Sequence, residues 1–165
     1  MKKLSVGILG FGTVGGGTYE ILTKNHDLIT QRTGVSIDVV KALVRRHREG
    51  IPAHLTTEDP DDILKDPSID VVVETMGGIE PATAFMLQAM ENGKHVVTAN
   101  KAAVAANYEK LQAAAAKNQV QFLFEASVGG GIPVLTAIQN ALQGNAFLEV
   151  MGIVNGTTNY ILTKM

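Results

Sequence analysis

The chain has 165 residues, of which 45% are hydrophobic and 18% are charged, with a formal net charge of -2 and no cysteine. This composition is typical of a globular protein and excludes a disordered chain, a disulfide scaffold and thiolate metal sites. The basic run at residues 45–48 (RRHR) is too short for an extended nucleic-acid surface, and no apolar run approaches the ~20 residues of a membrane span. We therefore expect a cytoplasmic protein that binds neither nucleic acid nor membrane.

Short apolar runs alternate with stretches of helical periodicity along most of the chain. The runs predict strands at residues 4–9, 37–44, 71–74, 95–97 and 120–124, and the periodic stretches predict helices at residues 14–23, 60–65, 81–92 and 102–117. This alternation is typical of α/β proteins, in which parallel strands are joined by helices that cover both faces of the sheet. We predict a doubly wound, mostly parallel sheet with flanking helices.

A glycine-rich segment, GFGTVG at residues 10–15, connects the first predicted strand to the first helix. In this context Gly10 permits a tight turn, Gly12 lets a pyrophosphate approach the backbone, and Gly15 allows close packing of helix on strand. The helix N-terminus adds free N–H groups and positive potential. The segment predicts a Rossmann-type site for NAD or NADP, the alternative being a glycine turn with a structural role alone.

Arg45 and Arg46 follow the second predicted strand, where NAD-specific sites usually carry an acidic residue. An arginine can pair with a 2′-phosphate and stack on adenine, which favours NADP or the use of both nucleotides. The distance from Gly15 is longer than usual, and we interpret residues 25–34 (NHDLITQRTG) as an insertion. A solvated basic loop is the alternative.

Two further segments follow strands at the same predicted edge of the sheet. In ETMGGIEP, residues 74–81, Thr75 and Gly77 could approach the nicotinamide ribose, although a plain strand-to-helix turn would look the same. Lys101 stands at the head of an alanine-rich helix, where a cation is mildly unfavourable beside the helix dipole. There it could contact the cofactor, bind a substrate oxygen or share in proton transfer, so Lys101 is the candidate catalytic residue. The alternative is a solvated lysine.

The C-terminal part follows a different pattern. It runs from a strand end through glycines 129–131 into a predicted helix at residues 133–142, and residues 147–165 indicate a strand, a turn and the start of a helix. We expect a nucleotide-binding domain at residues 1–145 and the truncated beginning of a second domain at 146–165. Such a fragment should expose apolar surface between Val150 and Leu162. The 4 histidines show no metal-ligand spacing and are interpreted as surface or core residues.

Taken together, these motifs resemble homoserine dehydrogenases. The segments that carry the resemblance are GILGFGTVGGG at 7–17, ETMGG at 74–78, VVTANKA at 96–102, FEASVGGGIPV at 124–134 and GIVNGTTNYIL at 152–162. The resemblance implies a reversible, NAD(P)-linked interconversion of L-homoserine and L-aspartate 4-semialdehyde, in the route to threonine, methionine and isoleucine. It also implies that the full-length protein is a homo-oligomer.

The resemblance assigns roles to individual residues. Phe11, Thr13 and Val14 would line the pyrophosphate loop, Arg45 would contact the adenosine ribose, and Lys101 would be one of two lysines near the reacting centre. It further implies a monovalent cation, sodium by preference, held by the residues Glu125, Val128, Gly130 and Ile132, the last three through their carbonyl oxygens. Hard oxygen ligands suit such an ion, although a glycine-rich turn without an ion would have the same sequence.

In the family, the second lysine and the acidic residues that bind homoserine lie beyond the NGTTNYIL motif. This sequence stops just after that motif. We therefore expect the chain to bind the nucleotide with little turnover of its own. Two alternatives remain open: a stand-alone nucleotide-binding or sensing module without chemistry, and a related semialdehyde or amino-acid dehydrogenase that shares the first domain.

Overall fold

The computed structural model describes residues 2–46, 50–152 and 156–165, except the side chains of residues 157 and 158. One sheet of six strands has the order β3-β2-β1-β4-β5-β6, and every neighbouring pair is parallel. The strands are β1 Lys2–Leu9, β2 Val35–Leu43, β3 Thr56–Thr57, β4 Val71–Glu74, β5 His95–Thr98 and β6 Phe122–Leu123. The predicted Rossmann-type, doubly wound α/β fold is confirmed.

Helices connect the strands and cover both faces of the sheet. They are α1 Thr13–Lys24, α2 His26–Thr33, α3 Asp61–Leu64, α4 Ala82–Glu91, α5 Lys101–Asn118, α6 Val134–Thr136 and α7 Gly156–Lys164. Leu9 and Val72 belong to a core that contains residues of α3, α4 and α5. Val6 and Ile8 belong to a second core, to which Tyr19 of α1 contributes. Because side chains alternate along a strand, β1, β2 and β4 supply both cores, which explains their nearly continuous apolar sequences.

The segment interpreted as an insertion forms α2, which ends at Gly34 in the left-handed conformation (φ 73°). Its side chains are at most partly buried, so it lacks the apolar face from which sequence periodicity identifies a helix. Together, α1 and α2 lengthen the connection between β1 and β2. This accounts for the long spacing between Gly15 and Arg45.

The C-terminal predictions are partly wrong. The predicted helix at residues 133–142 is a short α6 followed by a π-helical turn, Ala137–Ala141. The predicted strand beginning at residue 147 is absent over residues 147–152, which lie outside the sheet. An apolar run becomes a strand only when a neighbouring strand accepts its hydrogen bonds. Side chains from this part are exposed, including Val150, Met151 and Leu162, as expected for this segment. The boundary at residue 145 stays a prediction.

A membrane span is not found among the helices of the described residues, since each is too short or too polar to cross a bilayer.

Candidate functional site

Four connecting segments meet at the carboxyl edge of the sheet because β2, β1, β4 and β5 are neighbours and parallel. They carry Arg45 after β2, the glycine turn after β1, residues 75–78 after β4, and Lys101 after β5. The chain winds from β1 towards β3 on one side and from β4 towards β6 on the other. The gap between β1 and β4 is therefore the switch point at which open α/β sheets bind ligands.

Two glycines of the turn after β1 lie too close to neighbouring atoms to carry a side chain. Gly10 has a φ of +94°, which favours glycine, and a Cβ there would lie 3.0 Å from the backbone of Met76. At Gly15, a Cβ would lie 2.0 Å from the carbonyl oxygen of Gly10 and 2.8 Å from Oγ1 of Thr75. Both glycines are thus required by contacts inside the protein.

Gly12 differs from these two glycines. Its backbone is extended, with a φ of -86° that other residues adopt readily, and a Cβ there would meet none of the described atoms within 4 Å. It is the N-cap of α1, and within the described part of the chain this helix start lacks a side-chain cap. The uncapped helix N-terminus and the space beside Gly12 therefore fit an anionic group such as a pyrophosphate.

A cleft of about 210 Å³ joins the glycine turn to the end of β2. Several predicted site residues line it together with apolar neighbours: Gly10, Phe11, Gly12, Leu43, Val44, Arg45, Thr75 and Met76. Thr13 and Val14 are exposed in the first turn of α1, next to the cleft in sequence. Arg46, Gly77 and Lys101 are exposed and are not part of its lining. The structure thus brings five of the predicted site residues together in one cleft, namely Gly10, Phe11, Gly12, Arg45 and Thr75. Thr13, Val14, Arg46, Gly77 and Lys101 lie outside its lining.

Thr75 connects two of the loops. Its hydroxyl donates a hydrogen bond to the carbonyl oxygen of Gly10 at 2.7 Å, and its amide donates to the carbonyl oxygen of Leu9 at 2.9 Å. These bonds tie the start of the loop after β4 to the glycine turn. Thr75 therefore has a positioning role that the sequence alone did not indicate.

A buried polar cluster lies directly behind the loop after β4. The carboxylate of Glu74, which is 0% exposed, accepts hydrogen bonds from the amide of Met76 at 2.7 Å and the hydroxyl of Thr98 at 2.6 Å. The Asn100 side-chain amide donates to the carbonyl oxygen of Gly78 at 2.6 Å. Sequence reasoning missed this cluster as a feature of the site. The available signal was a glutamate ending an apolar strand and a threonine ending the next one.

Lys101 is exposed in the first turn of α5, immediately after Asn100. The side chain of Asn100 accepts a hydrogen bond from the amide of Ala103 at 3.2 Å and so caps this helix. The cap accounts for where the helix starts. It also holds the backbone of Lys101 at the ligand-binding edge, with the ammonium group accessible.

Glu125 caps the start of α6. Its carboxylate accepts hydrogen bonds from the amide of Leu135 at 3.0 Å and from the amide and hydroxyl of Thr136, each at 2.7 Å. The hydroxyl of Thr136, followed by backbone amides, lowers the pKa of Glu125 below its ordinary value although burial opposes this. Glu125 therefore has a structural role whether or not an ion is bound.

The predicted cation ligands Val128, Gly130 and Ile132 belong to the turn between Glu125 and α6, in which Gly129 and Gly130 have φ of 76° and 61°. The carbonyl oxygen of Ile132 already accepts a hydrogen bond from the amide of Val134 at 2.9 Å. The carboxylate and carbonyl oxygens of this set are of the type that hard cations prefer, while the carboxylate of Glu125 already accepts hydrogen bonds from Leu135 and Thr136. Within the described residues, groups of three or more His, Cys, Asp or Glu side chains that could hold a metal are not found.

The histidines in the described residues have local roles. His26 lies 3.1 Å from the hydroxyl of Ser36, the ring of His95 accepts a hydrogen bond from the amide of Gln121, and His54 is exposed. His47 lies outside the described residues.

Comparison with known proteins identifies the family. The family model described as "Homoserine dehydrogenase, NAD binding domain" matches residues 10–125, and the model described as "Homoserine dehydrogenase" matches residues 133–165. The chain is 41% identical to a homoserine dehydrogenase of Bacillus subtilis and 46% identical to one of Pseudomonas aeruginosa, each match covering 100% of the chain. It covers 39% and 38%, respectively, of the length of these relatives.

Solved structures of homoserine dehydrogenases also resemble this chain. A homoserine dehydrogenase from Thiobacillus denitrificans superposes with a TM-score of 0.94 at 48% identity, over 100% of this chain and 39% of that one. A hyperthermophilic archaeal homoserine dehydrogenase, solved in complex with NADPH, shares the fold with a TM-score of 0.71 at 23% identity, over 86% of this chain and 50% of that one. With the NAD-binding family model matching more than half of its residues, the chain belongs to the homoserine dehydrogenase family.

Proposed function

We propose that this chain binds NADP or NAD at the carboxyl edge of its sheet and supplies the nucleotide-binding part of a homoserine dehydrogenase. The observation that carries the proposal is the space beside Gly12, at the N-terminus of α1 and at the switch point between β1 and β4. Packing within the described residues explains why positions 10 and 15 are glycine, whereas a Cβ at Gly12 would meet none of the described atoms within 4 Å. A ligand that approaches the backbone explains it.

The order of the strands supports a separate place for each half of the dinucleotide. The backbone at Gly12, Thr13 and Val14 would hold the pyrophosphate, since it forms the start of α1. The adenosine half would lie towards β2, beside Arg45 and Arg46. The nicotinamide half would lie towards β4 and β5, beside residues 75–77 and Lys101. The cofactor would accept or donate the hydride, while the protein fixes its orientation.

Arg45→Ala should weaken the binding of NADP by about tenfold, because a charge-assisted hydrogen bond to the 2′-phosphate is lost. NAD lacks that phosphate, so its affinity should fall less. Calorimetric titration of the wild-type chain and the variant with each nucleotide measures the difference.

Arg32→Ala is the matched control, since Arg32 is an arginine in the last turn of α2. Its affinities should equal those of the wild type. Equal losses for both nucleotides in Arg45→Ala would show that the arginine does not read the 2′-phosphate. A wild-type chain that binds neither nucleotide would contradict the proposed function.

We further propose that the activity is the oxidation of L-homoserine to L-aspartate 4-semialdehyde and its reversal, with Lys101 as a catalytic residue. The support is the family membership and the exposed ammonium group at the end of β5. Since the chain covers 38% of the Pseudomonas aeruginosa relative, the test joins residues 1–165 to the C-terminal remainder of that relative. NADPH formation from L-homoserine is then measured.

In this chimera Lys101→Ala should lower kcat by about 100-fold or more, the effect expected for loss of a proton-transfer group. Lys110→Ala, an exposed lysine on the same helix, is the control and should retain full activity. If Lys101→Ala retains activity, the catalytic assignment is wrong. A chimera that binds NADP but oxidises other substrates would indicate a related dehydrogenase, and one without any activity would favour a binding module.

Three other features stay predictions. A sodium ion at Glu125, Val128, Gly130 and Ile132 is supported by the oxygen donor set and would raise the melting temperature in sodium chloride relative to choline chloride. A cytoplasmic location rests on the composition of the sequence. A homo-oligomer rests on the resemblance to the family, and the sedimentation of the chimera measures it.

A further inference from the structure

The buried carboxylate of Glu74 is hydrogen-bonded to groups on both sides of it. Oε1 accepts from the amide of Met76 at 2.7 Å, and Oε2 accepts from the hydroxyl of Thr98 at 2.6 Å. The first bond holds the loop that follows β4, and the second holds the end of β5. Burying a carboxyl group is costly unless its oxygens have such hydrogen-bond partners, and both oxygens of Glu74 have one.

Asn100 extends these bonds to the start of α5. Its amide N–H donates to the hydroxyl oxygen of Thr98 at 3.0 Å, and its side-chain amide donates to the carbonyl oxygen of Gly78 at 2.6 Å. Its side-chain oxygen caps α5 by accepting from Ala103. Glu74, Thr98 and Asn100, which we name the Glu74 cluster, thus connect the loop at residues 76–78 to the helix that begins with Lys101.

The adenosine side of the site is built from different contacts. The cleft beside Arg45 and Gly12 is bounded by the glycine turn, which is joined to β4 through the hydroxyl and amide of Thr75. These bonds do not involve the carboxylate of Glu74. Met76 of the cleft lining does donate to the carboxyl group of Glu74, but changes at Thr98 or Asn100 leave that bond in place. Weakening the Glu74 cluster at Thr98 or Asn100 should therefore loosen the loop at residues 77–78 and the start of α5 while the adenosine cleft stays intact.

On the basis of the proposed function, we propose that the Glu74 cluster is a positioning device for the nicotinamide half of the cofactor. Glu74, Thr98 and Asn100 hold residues 76–78 and Lys101 in one arrangement before the ligand binds. Such preorganisation increases affinity because these residues lose their conformational entropy during folding and not when the ligand binds. These are positioning residues, and Lys101 is the residue through which the cluster would affect the chemistry.

The test compares Thr98→Val with Thr98→Ser in the chain of 165 residues. Valine keeps the volume of threonine without the hydroxyl, whereas serine keeps the hydroxyl. Each variant is titrated with NADPH, followed by nicotinamide fluorescence, and with 2′,5′-ADP, which contains the adenosine half alone. Thr98→Val should bind NADPH about tenfold more weakly, as expected for loss of a hydrogen bond to a buried carboxyl group, and should bind 2′,5′-ADP like the wild type. Thr98→Ser should resemble the wild type with both ligands.

Asn100→Ser provides a second variant that retains a helix cap but removes the side-chain amide that bonds Gly78. It should show the same selective loss of NADPH affinity, which separates positioning from a failure of Thr98→Val to fold. Equal losses for NADPH and 2′,5′-ADP, or unchanged affinity for both, would overturn the positioning role. If the wild type binds neither ligand, the proposed function itself fails and the inference fails with it.

Discussion

Gly12→Ala should abolish measurable NADP binding and leave the fold intact. A Cβ at this position meets none of the described atoms within 4 Å, and the φ of -86° is one that alanine adopts without strain. The methyl group would occupy the space through which a pyrophosphate approaches the backbone. We expect affinity to fall about 100-fold or more, below what calorimetry measures, while the free energy of unfolding falls by about 1 kcal/mol, since alanine is a poorer N-cap than glycine.

Calorimetry with NADP and urea unfolding of the same sample measure both quantities. Gly17→Ala is the matched control, because a Cβ there also meets none of the described atoms within 4 Å but lies inside α1. This control should bind NADP normally and be slightly stabilised, by up to about 1 kcal/mol. If Gly12→Ala binds NADP as tightly as this control does, the space beside Gly12 is not a pyrophosphate site.

Gly15→Ala should destabilise the chain by about 3 kcal/mol or more, near the upper end of the usual cost of overpacking. A Cβ there would lie 2.0 Å from the carbonyl oxygen of Gly10, and backbone cannot yield as a flexible side chain does. The start of α1 would have to move away from the end of β1. Nucleotide binding should be lost as well, since the same movement displaces the helix N-terminus from the glycine turn.

Urea unfolding followed by far-UV circular dichroism measures the stability of Gly15→Ala. The neighbouring variant Gly16→Ala is its control, because a Cβ at Gly16 makes only an ordinary contact with Phe11 at 3.8 Å. That control should be as stable as the wild type or slightly more stable, given the higher helix propensity of alanine. Equal stability of the two variants would mean that the close approach of Gly15 to Gly10 is not required.

The parts of the fold that could be predicted from sequence are those with a buried face. The strand at Val71–Glu74 and the helix Ala82–Glu91 were predicted to within a residue or two, because both carry apolar side chains at regular spacing. The helix His26–Thr33 was missed because its side chains are at most partly buried. The strand predicted from residue 147 was wrong because apolar composition indicates burial or pairing without showing that a partner strand is present.

The candidate site also has one part that the sequence predicts and another that only the structure shows. A glycine motif can be recognised from sequence because Gly10, Gly12 and Gly15 have a fixed spacing that the turn requires. The spacing does not show that Gly10 and Gly15 serve internal packing while Gly12 faces open space. Glu74, Thr98 and Asn100 were missed as a cluster because Glu74 ends one strand while Thr98 and Asn100 lie at the end of the next, and they become neighbours only when those strands pair.

The sequence by itself determined the class of fold, the position of the glycine turn and the likeness to homoserine dehydrogenases, because these depend on the local order of residues along the chain. The tertiary structure decided which loops share an edge, which glycine of the turn borders open space, and how the carboxyl group of Glu74 connects the end of β4 to the start of α5. Hydrogen bonds between residues far apart in sequence depend on distance in space, and parallel strand pairing brings residues 74 and 98 into register.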